Sequence, residues 1–324
     1  MIVPAYWAEA RRQQRKDGRQ ITVRRYGWSD ASQADAQQHA ETRAGEALQR
    51  LLTGEKLARR EPKQPYNGAD GLPIREEIVE RHGTAVVTRN SYGARCLNVP
   101  DVLFADIDHA HRAPLRLSVI VFVLAALAAA LAGHACGSGF GYALAFVAVL
   151  GCAPAAHGLF RLWRWLAGGA EAQALRRVRR YAHRHPDWGI RVYRTPAGLR
   201  LLVTHRPFAP DATEVAAFFA AVGTDPLYAR MCRNQRCFRA RVSAKPWRIG
   251  IGAHLKPRPG VWPVAAEKQP QRAAWIAAYE RAAEAWAACT SLEHLGPAAI
   301  HPAVAPVLAL HDRLSRAGSK LPIA

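Results

Sequence analysis

Residues 117–160 read "LSVIVFVLAALAAALAGHACGSGFGYALAFVAVLGCAPAAHGLF", and no Asp, Glu, Lys or Arg interrupts them between Leu117 and Phe160. The run divides at "GHACGSGFG", Gly133 to Gly141, leaving about 17 to 22 apolar residues on each side, enough for a helix to cross about 30 Å of hydrocarbon. A helical hairpin with two spans is therefore expected. Pro154 in the second half is compatible with it, because neighbouring helices in lipid satisfy the freed carbonyl. Abundant small residues let two backbones approach, and Gly137 and Gly139 suit a tight connection. The plainer alternative is a pair of core helices inside a large soluble protein, but a charge-free run flanked by arginine at both ends is unusual there.

The flanks orient the hairpin. Arg112 and Arg116 precede it, Arg161, Arg164, Arg176, Arg177, Arg179 and Arg180 follow it, and the connection has no Lys or Arg. The positive-inside rule then places both termini in the cytoplasm, in a bacterial inner membrane, with the glycine-rich loop outside. Trp163 and Trp165 fall where an interfacial aromatic belt is expected. The N-terminal "MIVPAYWAEARRQQRKDGRQ" has no apolar stretch before a small-residue cleavage site, which disfavours a secretory signal.

The chain has 324 residues and a formal net charge of +20, from 45 Lys plus Arg against 25 Asp plus Glu. Such an excess attracts phosphate-rich partners or anionic lipid headgroups, although a GC-rich genome also enriches Arg and Ala. None of the six cysteines forms a CxxC pair, so zinc-ribbon and thioredoxin-like chemistry lack support, and reduced thiols in a cytosolic setting are expected.

Around the hairpin the pattern alternates between strand and helix, predicting an α/β (α+β) architecture. One cytoplasmic mixed-sheet domain is expected, interrupted by the transmembrane hairpin. Its first part spans 1–112, the hairpin 113–168, the second part 169–260 and a C-terminal helical segment 261–324. "QITVRRYGW" reads as a strand, followed by a helix capped by Ser29 or Asp30 and closed at Gly54. A Pro- and Gly-rich connection runs from Glu61 to Pro73. "IREEIVERHG" reads as a short acidic helix, "TAVVTRNSYGARCLNV" as two strands around a turn at Asn90 to Gly93, and "VLFADID" as another strand. After the hairpin come a basic helix ending before Pro186, the strands "GIRVYRT" and "GLRLLVTH", and a helix capped at Asp211 or Thr213 and closed by Gly223. "RCFRARVSA" is a further strand, and the tail from Gln271 is helical. Trp275, Tyr279 and Trp286 there have the spacing of a packing stripe.

On a strand, Asp106 and Asp108 point to one face with about 7 Å between their α-carbons. Two such carboxylates can reach one divalent cation, the arrangement that phosphoryl and nucleotidyl transfer use to neutralise developing charge. Further along lie the strand pair "YRTPAGLRLLVTH" and the segment "TDPLYARMCRNQRCFRARVSAK". In that order the three patches resemble the archaeo-eukaryotic primase-polymerase superfamily. Its members carry a D-x-D on a strand, a small hydroxyl residue and glycine leading into a strand with a His, and a third Asp before a basic strand.

The resemblance implies Asp106, Asp108 and Asp225 as ligands of Mg2+ or Mn2+ and as the catalytic carboxylates. It implies Thr195 and Gly198 beside nucleotide phosphates, and Arg239 and Lys245 facing phosphate or template. Three departures stand out: Arg200 occupies the place of the family's His, with His205 further along; Pro226 follows the third Asp; and a membrane hairpin follows the D-x-D. Arg200 is taken with Arg239 and Lys245 as a phosphate-holding cation. The chain also looks like a group of bacterial membrane proteins with "FADID" and "CFRAR...KPWR" segments, a resemblance that implies no particular activity.

Other motifs are weaker. His109 and His111 make "DIDHAH" look metal-rich, but on a continued strand they face away from Asp106 and Asp108. His183 and His185 sit in the basic juxtamembrane helix, where headgroup contact is the simpler role. In "RNQRCFRARVSAKPWR", Cys237, Arg239 and Arg241 share one strand face while Arg236, Phe238 and Ala240 share the other, so one face presents cations and the other packs. No G-x-S-x-G, Walker-type loop or G-x-G-x-x-G before a helix occurs, which disfavours hydrolase, P-loop and Rossmann functions. Two functions fit: a membrane-anchored nucleotide- or nucleic-acid-binding domain with metal-dependent nucleotidyl transfer, or a non-catalytic scaffold gripping anionic lipid.

Overall fold

The computed structural model describes residues 3–61, 72–109, 113–257 and 262–324. His111 and Arg112, which bear on the metal-rich motif and on the orientation of the hairpin, lie outside the described residues.

Among the described residues, ten strands and eight helices follow in chain order. Before the hairpin these are β1 (Tyr6–Lys16), β2 (Arg19–Ser29), α1 (Gln33–Leu52), β3 (Glu77–His82), β4 (Ala85–Arg89), β5 (Arg95–Val99) and β6 (Phe104–Asp108). The hairpin is α2 (Leu115–Cys136) and α3 (Ser138–Leu166). After it come α4 (Gly169–Arg184), β7 (Ile190–Thr195), β8 (Gly198–Val203), α5 (Thr213–Val222), α6 (Pro226–Gln235), β9 (Phe238–Arg241), α7 (Gln269–Ala283), β10 (Thr290–Leu295) and α8 (Ala305–Ser315).

Two four-stranded sheets, ordered β10-β7-β8-β6 and β3-β4-β5-β9, carry the domain. Each joins strands from both sides of the hairpin. β6 pairs with β8, setting Asp106 opposite Arg200 and Asp108 opposite Gly198. β5 pairs with β9, setting Asn98 opposite Arg239. The chain therefore builds an interrupted α+β unit, and among the described residues its three sheets are antiparallel throughout, where a mixed-sheet domain is expected from the sequence.

Every residue of β8, "GLRLLV", is buried, including its arginine. Leu199 and Leu201 share the principal core with Phe104, Ile107, Ile190 and Tyr193. Fully burying each such large apolar side chain contributes about 1.5–3 kcal/mol. The core continues under α4 and α5 through Val178 and Phe218, which puts the rigid part of the molecule directly beneath β6.

Several local expectations change. "IREEIVERHG" holds the strand β3, not a helix: the charges that suggest a helical surface are paired with distant partners, Glu77 with Arg272 and Arg89, and Glu76 with Arg239. The hydroxyl of Ser32, not Ser29 or Asp30, caps α1 by accepting from the Asp35 amide. α5 starts without a side-chain cap, at Ala212, although Gly223 closes it in the left-handed region as expected. β10 pairs with β7, so the tail is not wholly helical and contributes an outer strand to the sheet that carries Asp106. In that tail Trp275 stacks on buried Tyr279 at 5.3 Å, the packing role its spacing suggests.

The two-stranded ribbon β1-β2, whose first strand is not anticipated by the sequence patterning, lies on α1. Ala36, Ala40 and Ala44 form the contact stripe at helical spacing. A Cβ on Gly27 would lie 2.1 Å from the Ala40 amide nitrogen, so only glycine permits this approach.

Helices α2 and α3 pack on each other and join at Gly137, whose φ of +103° suits glycine. They come closest where Gly133 meets Gly141: a Cβ on Gly141 would lie 2.6 Å from the Gly133 α-carbon. Only 6% and 11% of their most apolar windows are buried, so their leucines and valines face outward. Both helices are long and apolar enough to cross a membrane.

Candidate functional site

β6 delivers two carboxylates to the space between the sheets. Asp106 receives both arms of Arg200, Nε to Oδ1 at 2.8 Å and Nη2 to Oδ2 at 3.0 Å, from the facing residue of β8. Arg200 is buried, and its third contact, Nη1 to the Arg241 carbonyl at 2.7 Å, ties this sheet to β9 of the other. Burial works against the guanidinium charge, but the Asp106 carboxylate outweighs it and holds the Arg200 pKa above its ordinary value.

Asp225 returns to this strand across the hairpin. Its amide donates to the Asp106 carbonyl at 3.0 Å. Its carboxylate caps α6, accepting from the amides of Leu227 at 3.2 Å and Tyr228 at 3.3 Å, as an acidic N-cap does where helix amides lack partners. The phenol of buried Tyr228 donates to the Phe104 carbonyl at 3.1 Å, pinning the start of α6 against β6.

Asp108 is different. Among the described residues its carboxylate makes no hydrogen bond or ion pair, and partial burial, then Asp106 and Asp225, raise its pKa while Lys245 and His109 oppose the rise. A carboxyl whose folded pKa is raised stabilises the fold fully below its unfolded value, near 3.8, and loses that contribution as pH rises through the folded pKa. Asp108→Asn is therefore expected to raise stability at neutral pH by under about 1 kcal/mol for so accessible a group, seen as a higher thermal midpoint. The gain should vanish near pH 4, which paired melts of wild type and variant at the two pH values would show.

The opposite wall comes from β9 and the turn after it. Arg239 donates through Nη2 to both oxygens of Glu76, at 2.8 and 2.7 Å, and both side chains are buried. The Thr88 hydroxyl donates to Glu76 at 2.6 Å, and Asn98 donates to the Thr88 hydroxyl at 3.0 Å. Beyond them stand Arg241, Lys245 and Arg248. Burial, then the neighbouring Arg241 and Arg248, lower the Lys245 pKa; burial, then Arg241, lower that of Arg248. Tyr92, in the β4–β5 turn, is pushed up to about 12 by burial and by Cys96, against the pull of Arg241 and Arg239.

These walls enclose a cleft of about 420 Å³. Asp106, Asp108, Asp225, Thr195, Arg200, Arg239 and Lys245, all named from the sequence, line it; Gly198 does not. Gly198 packs against β6, where a Cβ would lie 1.9 Å from the Ile107 carbonyl oxygen. His205 is remote from this lining and sits among Trp188 and Phe208. Glu76, Tyr92, Leu227 and Tyr228 also line the cleft and go unnoticed in the sequence. Glu76 is masked by the helical appearance of its segment. The N-cap pattern Asp225-Pro226, with proline at the first helical position, is the signal for α6 and hence for Leu227 and Tyr228.

Among the described residues no group of three His, Cys, Asp or Glu is arranged to hold a metal ion. Comparison with protein-family models, curated proteins and solved structures gives no match.

Proposed function

We propose that the chain is an integral membrane protein of the bacterial inner membrane, with both termini cytoplasmic, whose α+β domain binds a nucleotide or nucleic acid in the cleft between its sheets. The carrying observation is an imbalance of partners. Arg200 and Arg239 are matched to Asp106 and Glu76, and Arg241 donates to oxygens of Ser243 and Ala324, whereas Lys245 and Arg248 crowd the same wall with no carboxylate partner among the described residues. Burial first, and then the like-charged neighbours, lower the pKa values of Lys245 and Arg248, and a phosphate-bearing ligand would relieve the crowding. Arg116, Arg161, Arg164 and the arginines of α4 flank the apolar hairpin on one side, which supports the orientation.

Mg2+ or Mn2+ fits this donor set in part. Asp108 alone among the three aspartates presents oxygens without hydrogen-bond partners among the described residues, so it would meet an ion arriving with phosphates. A centre using all three would require Arg200 to release Asp106 and Asp225 to release the start of α6. Nucleotide binding thus stands ahead of nucleotidyl transfer.

The test is titration of a fluorescent ATP analogue and of a labelled single-stranded oligonucleotide into the full chain in detergent. Replacing Lys245 and Arg248 together by Ala is expected to weaken binding at least tenfold and to flatten its salt dependence. Equal affinity of wild type and variant would overturn the proposal.

A second function has its own observation. Arg177, Arg180 and Arg184 of α4 line a separate groove with Tyr181, Trp188 and, as its one carboxylate, Glu214 of α5. That arrangement suits anionic lipid headgroups and supports the scaffold alternative.

A further inference from the structure

The walls of the cleft account for phosphate; its rim calls for something apolar. Outside the hairpin, the exposed large hydrophobic side chains among the described residues are Tyr6, Leu227 and Trp247. Two of these three lie at or beside the cleft. Leu227 lines it at the start of α6, and Trp247, 52% exposed, is outside the lining itself but stands in the short 3-10 turn Pro246–Arg248 between Lys245 and Arg248, which do line it.

The tryptophan is held in position. Tyr92 packs edge-on against its ring, with centroids 5.1 Å apart, and the Lys245 ammonium lies 5.4 Å from the ring centroid. A single exposed aromatic is ordinary on a protein surface; this one is distinguished by the cations on either side of it and by Tyr92, a cleft residue, which holds it. An aromatic ring beside cations suits a ligand that joins a flat apolar ring to phosphate within the length of one sugar.

From this pairing of exposed ring and cations, resting on the phosphate-binding role proposed above, we propose that the rim is a nucleobase subsite. Trp247 stacks the base, Leu227 bounds it, and Lys245 and Arg248 receive the phosphates. The ligand is then a nucleotide or a single-stranded nucleic acid, not inorganic polyphosphate or a lipid headgroup, neither of which carries a ring.

Full-length protein in detergent would be titrated with ATP and with tripolyphosphate, using wild type, Trp247→Ala, Trp247→Phe and Leu227→Ala. Stacking of one base on an aromatic side chain contributes about 1–3 kcal/mol, so Trp247→Ala should weaken ATP binding about tenfold or more while leaving tripolyphosphate binding unchanged. Trp247→Phe should retain most of the affinity, and Leu227→Ala should show a smaller loss confined to ATP. Quenching of Trp247 fluorescence by ATP but not by tripolyphosphate would accompany this pattern.

Equal wild-type affinity for the two probes would overturn the base subsite and leave the phosphate cleft standing. Absence of binding by either probe would overturn both. Loss of both ligands in Trp247→Ala would assign the ring a structural role. Unchanged ATP affinity with lost association to phosphatidylglycerol vesicles would assign the rim to a membrane surface, and either result overturns the proposal.

Discussion

Glu76→Ala is expected to lower stability by about 3–5 kcal/mol, the cost of leaving a buried charge without its counterion. Arg239 donates to both oxygens of Glu76, and the side chains are 7% and 1% exposed, so the variant removes two charge-assisted hydrogen bonds from a guanidinium that is almost fully buried. Thr88 loses its acceptor in the same variant, and Asn98 is bonded to Thr88, so the damage spreads along β4 and β5. Replacing Glu76 and Arg239 together by Met should recover much of the loss, because a buried ion pair exchanged for apolar groups of similar volume is often neutral. Thermal or urea unfolding of the single and double variants measures both values. A Glu76→Ala midpoint equal to wild type would mean that Arg239 is not held by this pair.

The same comparison separates cleft residues that carry the fold from those free to meet a ligand. Asp106 belongs with Glu76: Arg200, buried within β8, depends on it. A loss of ligand binding in an Asp106 variant therefore mixes stability with recognition. Asp108, Lys245 and Arg248 have no such partner among the described residues, and substitutions there report on the ligand more cleanly.

What the sequence reveals of this site follows from what periodicity can record. Strand alternation puts Asp106 and Asp108 on one face, and Arg239 and Arg241 on another, and both pairs line the cleft. Asp225 is suspected only through the resemblance to the primase-polymerase pattern, not from its own surroundings. Periodicity does not record pairing across the hairpin. Nothing local announces that Asp106 faces Arg200 or that Glu76 travels to Arg239. The acidic segment before β4 looks helical for the same reason: its charges imply solvent, and their partners lie at Arg89, Arg239 and Arg272. The apolar hairpin is the opposite case, legible because a long run without charge is a property of the residues alone.

Gly198→Ala is the second large expected effect, and it separates two roles for that glycine. A glycine that only makes room for phosphate would tolerate alanine as a folded protein and lose ligand affinity. In the structure Gly198 faces Asp108 across the β6–β8 pair, and the added Cβ would fall 1.9 Å from the Ile107 carbonyl oxygen and 3.1 Å from the Asp108 α-carbon. Backbone cannot yield as a flexible side chain does, so β6 would have to leave β8. The expected loss is about 3 kcal/mol or more, above the usual range for an overpacked core. Gly252→Ala is the control, since nothing lies within 4 Å of a Cβ there. If Gly198→Ala melts with Gly252→Ala and wild type yet binds nucleotide more weakly, the glycine serves the ligand directly. If its midpoint falls and binding falls with it, the glycine serves by keeping Asp106 opposite Arg200, which is the result this strand pairing requires.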